Sequence, residues 1–347
     1  MLDDMNVLSQ RDPAGALEVA AAQFKQAQFP AEIKNPEHDG RDILHVVVAG
    51  MGGSALAALQ VKAWLNSEFT VSFEIVRTYK LPAYVGSNTL VVASSHSGNT
   101  EETLSCLKDA QDRGAQIAII TAGGKLEAAA TASSISYVKI PADIQPRMTV
   151  IYGLRALTAL LAHFGIISRT HFDEIADTSN WLAEETANWK KEVTIDKNLA
   201  KQLALMAVGK TPVFYAGSLM APVAYKWKIS WNENAKNVAF WNEIPEFNHN
   251  EFIGWSSHPV EKPFAVFDLV SQFEHPRILT RFGVSDRLLS GRRPKSHIVE
   301  FMGDTILQQM LWANILADFT SIYVATLNGV NPTPVDLVEK LKVELNN

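Results

Sequence analysis

Continuous β-branched runs alternate with segments of helical period along most of the chain. ILHVVVA, from Ile43, is nearly unbroken by polar residues, the pattern of a strand buried on both faces of a parallel sheet. The turn Gly50 to Gly53 follows it, and residues 54–65 predict a helix. The same unit then recurs: strands over 71–76 and 89–93, a helix over 100–113, a strand over 116–121, a short strand over 135–140 and a helix over 149–164. This alternation predicts right-handed crossovers and a doubly wound parallel sheet that closes near residue 165. Upstream, Leu17, Ala20, Ala21, Phe24 and Phe29 predict an opening helix within 14–29, and 30–41 is a polar connector.

A polar helical linker over about 170–192 precedes a second run of the same kind. A helix over 196–208 leads to a strand over 212–216, then Gly217 and a helix beginning near Leu219. Further strands are expected over 263–270 and 297–301, and a long apolar helix over 305–327. The C-terminal TPVDLVEKLKVEL reads as an amphipathic helix with Leu337, Leu341 and Leu345 on one side. Residues 216–229 echo 49–61, each a small residue and a glycine after a strand. The division expected is an N-terminal helix and connector (1–40), a first α/β domain (41–165), a helical linker (166–195) and a second α/β domain (196–347). The second copy lacks the glycine-rich turn, so a phosphate site is expected in the first.

Composition narrows the function classes. The 347 residues are 47% hydrophobic and 20% charged, with mean hydropathy at zero, a globular profile. No uncharged apolar run approaches the ~20 residues of a membrane span. Cys106 is the one cysteine, which excludes a disulfide framework and a thiolate zinc cluster. The acidic start MLDDMNVLSQRD has no apolar signal region, and the expectation is a cytoplasmic protein. A net charge of −6 argues against a dedicated nucleic-acid binder but leaves room for a local anion pocket.

Two loops suit an anion. AGMGGSA leaves a buried strand and enters a helix, where unpaired N–H groups and the helix dipole favour negative charge. Gly50, Gly52 and Ala55 satisfy the dinucleotide pattern G-x-G-x-x-A, yet the end of the second strand offers Arg77 and Thr78 where a ribose-binding acid belongs. SSHSGNTEET says more. Ser95, Ser97 and Thr100 bring hydroxyls, Gly98 opens the backbone, and Glu101 and Glu102 follow in the first helical turn. One cap residue suffices for a helix, whereas several small polar residues converging here suit a sugar phosphate.

GMGGSA and SSHSGNTEE together resemble the phosphate-binding loops of sugar isomerase (SIS) domains. WNENAKNVAFWNEIPEFNHNE at 231–251 and LNGVNPTPVDLVEKLK at 327–342 extend the resemblance to the bifunctional phosphoglucose/phosphomannose isomerases of archaea and some bacteria. It covers about residues 40–345. It implies two SIS-type, flavodoxin-like three-layer domains with N- and C-terminal helices, and a metal-independent reaction without a cofactor. A phosphorylated hexose would rest on Ser54, Ser95, Ser97 and Thr100, with Gly52, Gly53 and Gly98 lending backbone.

Moving a proton between C1 and C2 of an opened sugar needs a base, a ring opener and a cation or donor beside the enediolate. Glu233, in NENAK, follows the apolar run YKWKISW, where desolvation would make a carboxylate more basic; a solvated helix end or a pair with Lys236 is the alternative. The resemblance implies that Glu233 is the base. His249, in EFNHNE, lacks a His/Cys partner at metal-ligand spacing. By resemblance it opens the ring, a role that suits imidazole near neutral pH. Arg147, in IQPRMTV, is a surface charge or, by resemblance, a stabiliser of the enediolate. Lys342 matches the family's ring-opening lysine, with Lys340 as the alternative. The family's threonine before the C-terminal helix has Thr333 as its nearest counterpart, although an ungapped count lands on Val335, so isomerase chemistry is better supported than dual specificity. His96 is given no role. The resemblance further implies a homodimer whose histidine reaches into the partner's site, with neither nucleic acid nor membrane as partner. The rivals are a non-catalytic sugar-phosphate sensor, which needs neither Glu233 nor His249, and an NADP-dependent dehydrogenase.

Overall fold

The computed structural model describes residues 1–257 and 263–345. Residues 22–182 form one compact unit, and residues 1–21 with 183–347 form another.

In the first unit β1 (Ile33–Lys34), β2 (His45–Gly50), β3 (Ser72–Val76), β4 (Thr89–Ser95), β5 (Gln116–Thr121) and β6 (Ser136–Lys139) lie in the order β1-β6-β5-β4-β2-β3. Only β1 runs antiparallel. The chain moves from β2 outward to β3, returns to the far side of β2 for β4, and then continues outward. Direction reverses between β2 and β4, and ligands of such sheets bind outside the carboxyl ends of the strands at that reversal. Both anion-loop candidates leave these two strands.

Alternation along the strands divides the core. Val47, Ala49, Val91 and Ala93 pack with Cys106 and Leu107 of helix Glu101–Asp112 and Leu126 of helix Gly124–Ala132. Val46, Val48, Leu90 and Val92 point to the other face, covered by helices Gly52–Trp64 and Val150–His163. The expected α/β three-layer fold is present.

Among the described residues, the second unit repeats the wiring with fewer strands. β7 (Thr211–Gly217), β8 (Phe240–Ile244), β9 (Phe264–Val270) and β10 (His297–Glu300) form a parallel sheet in the order β10-β9-β7-β8. Here the reversal falls between β7 and β9. Phe214 and Tyr215 are consecutive on β7 and face opposite ways. Phe214 meets Trp227, Trp231 and Phe267. Tyr215 belongs to the opposite cluster, with Val266, Phe247, Trp255 and Phe282.

Helix Ile306–Asn328 is long and apolar enough to cross a bilayer by length and composition, but 94% of its apolar window is buried in the protein. It is a core helix, buried on nearly every side with Asp318 and Ser321 among its buried polar residues, started by a capping box of Thr305 and Gln308 and ended by Gly329 in the left-handed region. The expected opening helix is instead two pieces, an α-helix Ala16–Ala22 and a 3-10 segment Gln23–Gln28, preceded by a further helix Met5–Arg11 capped by Asp4.

Candidate active site

At the first unit's reversal, Gly50 of β2 lies in register with Ser94 of β4. A Cβ on Gly50 would stand 2.8 Å from the Ser94 carbonyl, so glycine permits this approach. Gly52 sits at φ +49, in the left-handed region. At Gly53 a Cβ would meet the Pro146 carbonyl at 2.8 Å and the Arg147 nitrogen at 3.4 Å. The glycine turn thus seats the segment that carries Arg147. That arginine lies in the 3-10 turn Pro146–Met148 and is buried.

The second loop is tied to the first by Ser54, whose hydroxyl accepts the His96 N–H at 3.1 Å. Within it, Ser95 Oγ lies 2.8 Å from Thr100 Oγ1 and 3.5 Å from Ser97 Oγ, and it accepts the Gly98 N–H at 3.2 Å. Ser97 Oγ accepts the Asn99 N–H at 3.2 Å. Thr100 occupies the N-cap of helix Glu101–Asp112 by its backbone, but its side chain makes no cap bond. These hydroxyls face one another and the loop, which is not how a plain cap uses them. Burial lowers the pKa of the His96 ring, against the Pro141 carbonyl and Asp143, which favour its charged form.

A third turn completes this corner. Gly98, at φ +68, would place a Cβ 1.8 Å from the Gly123 carbonyl, and Gly124, at φ +70, one 2.4 Å from the Ser97 carbonyl. Asn99 Oδ1 accepts the Lys125 N–H at 3.1 Å, and Gly98 O accepts that of Leu126 at 3.0 Å. Sequence reasoning passed over this turn, although ITAGGK carries a signal in its paired glycines after a strand.

In the second unit, helix Ala221–Ser230 runs into a π-helical turn, Trp231–Ala235, that presents Glu233 half-buried. Turns of this kind recur at functional sites. Its neighbours are fixed: Trp231 stacks on Trp227, Asn234 Nδ2 donates to Ser321 Oγ at 2.9 Å, and Asn232 Oδ1 accepts the Ala239 N–H at 3.1 Å. Beneath lies a fully buried group in which Lys226 Nζ reaches Asp318 at 2.5 Å and Ser230 at 2.7 Å. Lys236 Nζ donates to the backbone carbonyl of Glu233.

His249 ends the 3-10 turn Glu246–His249 beyond β8 and is exposed. The residues around it hold the loop down. Phe247 packs on the Tyr215 ring at 4.5 Å, Asn248 Nδ2 donates to Ser285 Oγ at 2.8 Å, and Glu251 accepts from Tyr215 and, at 2.8 Å, from Asn242. Trp231 packs on Phe214 and Phe247 on Tyr215, so the loops bearing Glu233 and His249 are anchored on opposite faces of one sheet. Lys342 is exposed on helix Asp336–Leu345 and pairs with Glu339 at 2.7 Å; Lys340 is exposed on the same helix.

Residues 41–164 match the SIS domain model, and residues 196–345 match that of the bacterial phospho-glucose isomerase C-terminal SIS domain. A bifunctional phosphoglucose/phosphomannose isomerase of Caldicellulosiruptor bescii is 37% identical over 306 residues, which is 88% of this chain and 90% of that protein. The chain belongs to the bifunctional phosphoglucose/phosphomannose isomerase family. A D-glucosamine-6-phosphate 4-epimerase of Sulfolobus acidocaldarius is 33% identical over 60% of this chain and 63% of its own length. Among solved structures, a glucose-6-phosphate isomerase like protein from Thermus thermophilus shares the fold, with a TM-score of 0.65, 19% identity and coverage of 98% of each chain.

This member of the isomerase family treats its two reversal points differently. In the second unit the turn after β7 already holds a carboxylate. Glu274, from the loop after β9, is buried and accepts the N–H groups of Leu219 at 3.3 Å and Met220 at 3.0 Å. A Cβ on Gly217 would come within 2.2 Å of its carboxyl carbon. Burial raises the pKa of Glu274, while those N–H groups pull it down. The corresponding turn of the first unit carries Ser54, whose hydroxyl accepts the His96 N–H at 3.1 Å. Sequence reasoning missed Glu274 because the partners are 54 and 55 residues apart along the chain.

Proposed function

We propose that this chain is an aldose–ketose isomerase that interconverts glucose 6-phosphate and mannose 6-phosphate with fructose 6-phosphate through a cis-enediol. The observation that carries the reading is the hydroxyl group of Ser95, Ser97 and Thr100 at the first unit's reversal point, turned away from capping and bordered by glycine backbone. Such a cradle suits a phosphate monoester: hydroxyls and N–H groups surround the oxygens without a cluster of cations. Gly52, Gly53, Ser54 and Gly98 complete it.

In this reading His249 moves a proton at the ring oxygen, aided by Lys342, and frees the open aldose. The Glu233 carboxylate then takes the proton from C2, and electrons shift toward the carbonyl oxygen on C1 to give the enediol. The C1 oxygen takes up a proton in place of the one that the C2 hydroxyl gives up, and return of the proton from Glu233 to C1 yields the ketose. Arg147 stabilises the charge that develops on the enediolate oxygens. Glucose and mannose 6-phosphate differ only at C2, which is planar in the enediol, so one base serves both. The family relative's name supports both activities.

The opposite-face anchoring of Glu233 and His249 supports a homodimer in which each substrate takes them from different chains. The exposed Leu337, Leu341 and Leu345 of the C-terminal helix offer apolar surface for a second copy. A cytoplasmic location fits a step shared by glycolysis and gluconeogenesis. The test is a coupled assay for fructose 6-phosphate from each aldose phosphate with EDTA present. Turnover of both supports the reading. Saturable binding without turnover favours a sensor, and epimerisation at C4 of glucosamine 6-phosphate without ketose formation favours the chemistry named for the Sulfolobus relative.

A further inference from the structure

Lys236 closes the π-helical turn that carries Glu233, and its backbone lies at φ +53, ψ 33, in the left-handed region. Glycine and asparagine take that conformation readily and lysine does not, and such outliers persist where the surroundings hold them. Its ammonium group donates to two backbone carbonyls, that of Glu233 and, at 3.0 Å, that of Pro332. Pro332 belongs to the segment leading to helix Asp336–Leu345, where Asn331 Oδ1 accepts the Thr333 N–H at 3.0 Å. One side chain therefore ties the peptide of Glu233 to the approach to the C-terminal helix.

The rest of the turn is fixed by other groups. Trp231 is packed between aromatic rings, Asn234 is bonded to Ser321, and Asn232 holds Ala239. Losing the ammonium group would leave these anchors in place and release the Glu233 peptide from residues 331–333. We propose that Lys236 is a positioning residue: it fixes the backbone from which Glu233 works and couples that backbone to the segment carrying Thr333. The proposal rests on the reading of Glu233 as the base. A base that removes a proton at C2 and delivers one at C1 is sensitive to placement, since an error of about 1 Å costs on the order of a hundredfold in rate.

The experiment measures kcat, KM and Tm for Lys236→Met, Lys236→Arg and Lys236→Gly, with Glu233→Gln as the reference. Lys236→Met keeps the stem and the backbone strain but removes both donors; kcat should fall roughly tenfold or more with KM within about threefold. Lys236→Arg, which can still donate, should recover most of the rate. Lys236→Gly removes the donors and also relieves the strain, so it should match or exceed the Met variant in Tm yet remain as slow. If Lys236→Met fails to fold, the Gly and Arg variants carry the comparison. Wild-type kcat in Lys236→Met, or activity restored along with Tm in Lys236→Gly, would overturn the role while leaving the base assignment intact. An active Glu233→Gln would overturn both.

Discussion

The loops that carry Glu233 and His249 are anchored on opposite faces of the second unit's sheet. Two residues before each, an aromatic side chain fastens the loop: Trp231 on Phe214 and Phe247 on Tyr215. Consecutive residues on a strand point to opposite sides, so the sheet lies between the two anchors. In the homodimer proposed above, the two groups at one sugar come from two copies of the chain.

Complementation checks this. Glu233→Gln and His249→Ala proteins, each inactive alone, should regain activity when mixed under conditions of subunit exchange, with up to about half of the sites in each heterodimer restored by two-fold symmetry. Demonstrated exchange with no recovered activity would mean that one chain supplies both groups.

The proposed phosphate cradle allows binding to be separated from capping. Thr100 makes no side-chain cap bond, so replacing Ser97 and Thr100 by alanine should raise KM by roughly tenfold or more while Tm falls only modestly, since no helix cap is lost and what goes is the Ser97 acceptor of the Asn99 N–H and the Thr100–Ser95 bond. A drop in Tm with KM unchanged would restore the capping explanation.

Much of this cradle is legible in the sequence because strand and turn chemistry there are local. The run ILHVVVA, the glycines after it and the hydroxyls of SSHSGNT each announce themselves within a few residues. What escaped depends on distant partners. β8 lies inside the motif segment, and Asn242 and Glu243 give it a polar pattern unlike a strand's; Asn242 is nonetheless used, holding Glu251. Helix Gly124–Ala132 is rich in alanine and shows no apolar stripe, although Leu126 in its first turn donates its N–H to Gly98. Helix Pro276–Leu288 was also missed, its charged residues masking the buried Phe282 and Ser285. Of the aromatic residues in YKWKISW, Trp227 and Trp231 turn into the core, and Glu233 beyond them is half-buried.

Glu274 should matter for stability rather than for substrate. Replacing it with alanine leaves the N–H groups of Leu219 and Met220 without their acceptor, a loss of about 2–4 kcal/mol in chemical denaturation, and KM for the sugar phosphate should not change. An undiminished unfolding midpoint would show that water satisfies this turn as well as the carboxylate does.

Asp268, buried on β9, gives a pH signature. Burial pushes its pKa up to about 6, against a hydrogen bond from Ser296 and the charge of Arg293. The folded chain therefore keeps a proton that the unfolded chain releases near 3.9. With more protons bound when folded, the contribution of Asp268 to stability is greatest at acid pH and is lost as pH rises through about 6. The stability of Asp268→Asn relative to wild type should thus improve by about 2–3 kcal/mol between pH 4 and 7.5. A difference independent of pH would show that Asp268 ionises normally.

The most direct measurement is the rate of fructose 6-phosphate formation from glucose 6-phosphate by wild type and by Glu233→Gln, with KM determined for both. In the role proposed for it, Glu233 carries the proton transfer itself, and the glutamine variant keeps the shape of the side chain. The account predicts a kcat lowered on the order of a thousandfold with KM within several-fold, the pattern of a group needed in the transition state rather than for binding. Near wild-type turnover by Glu233→Gln would contradict it.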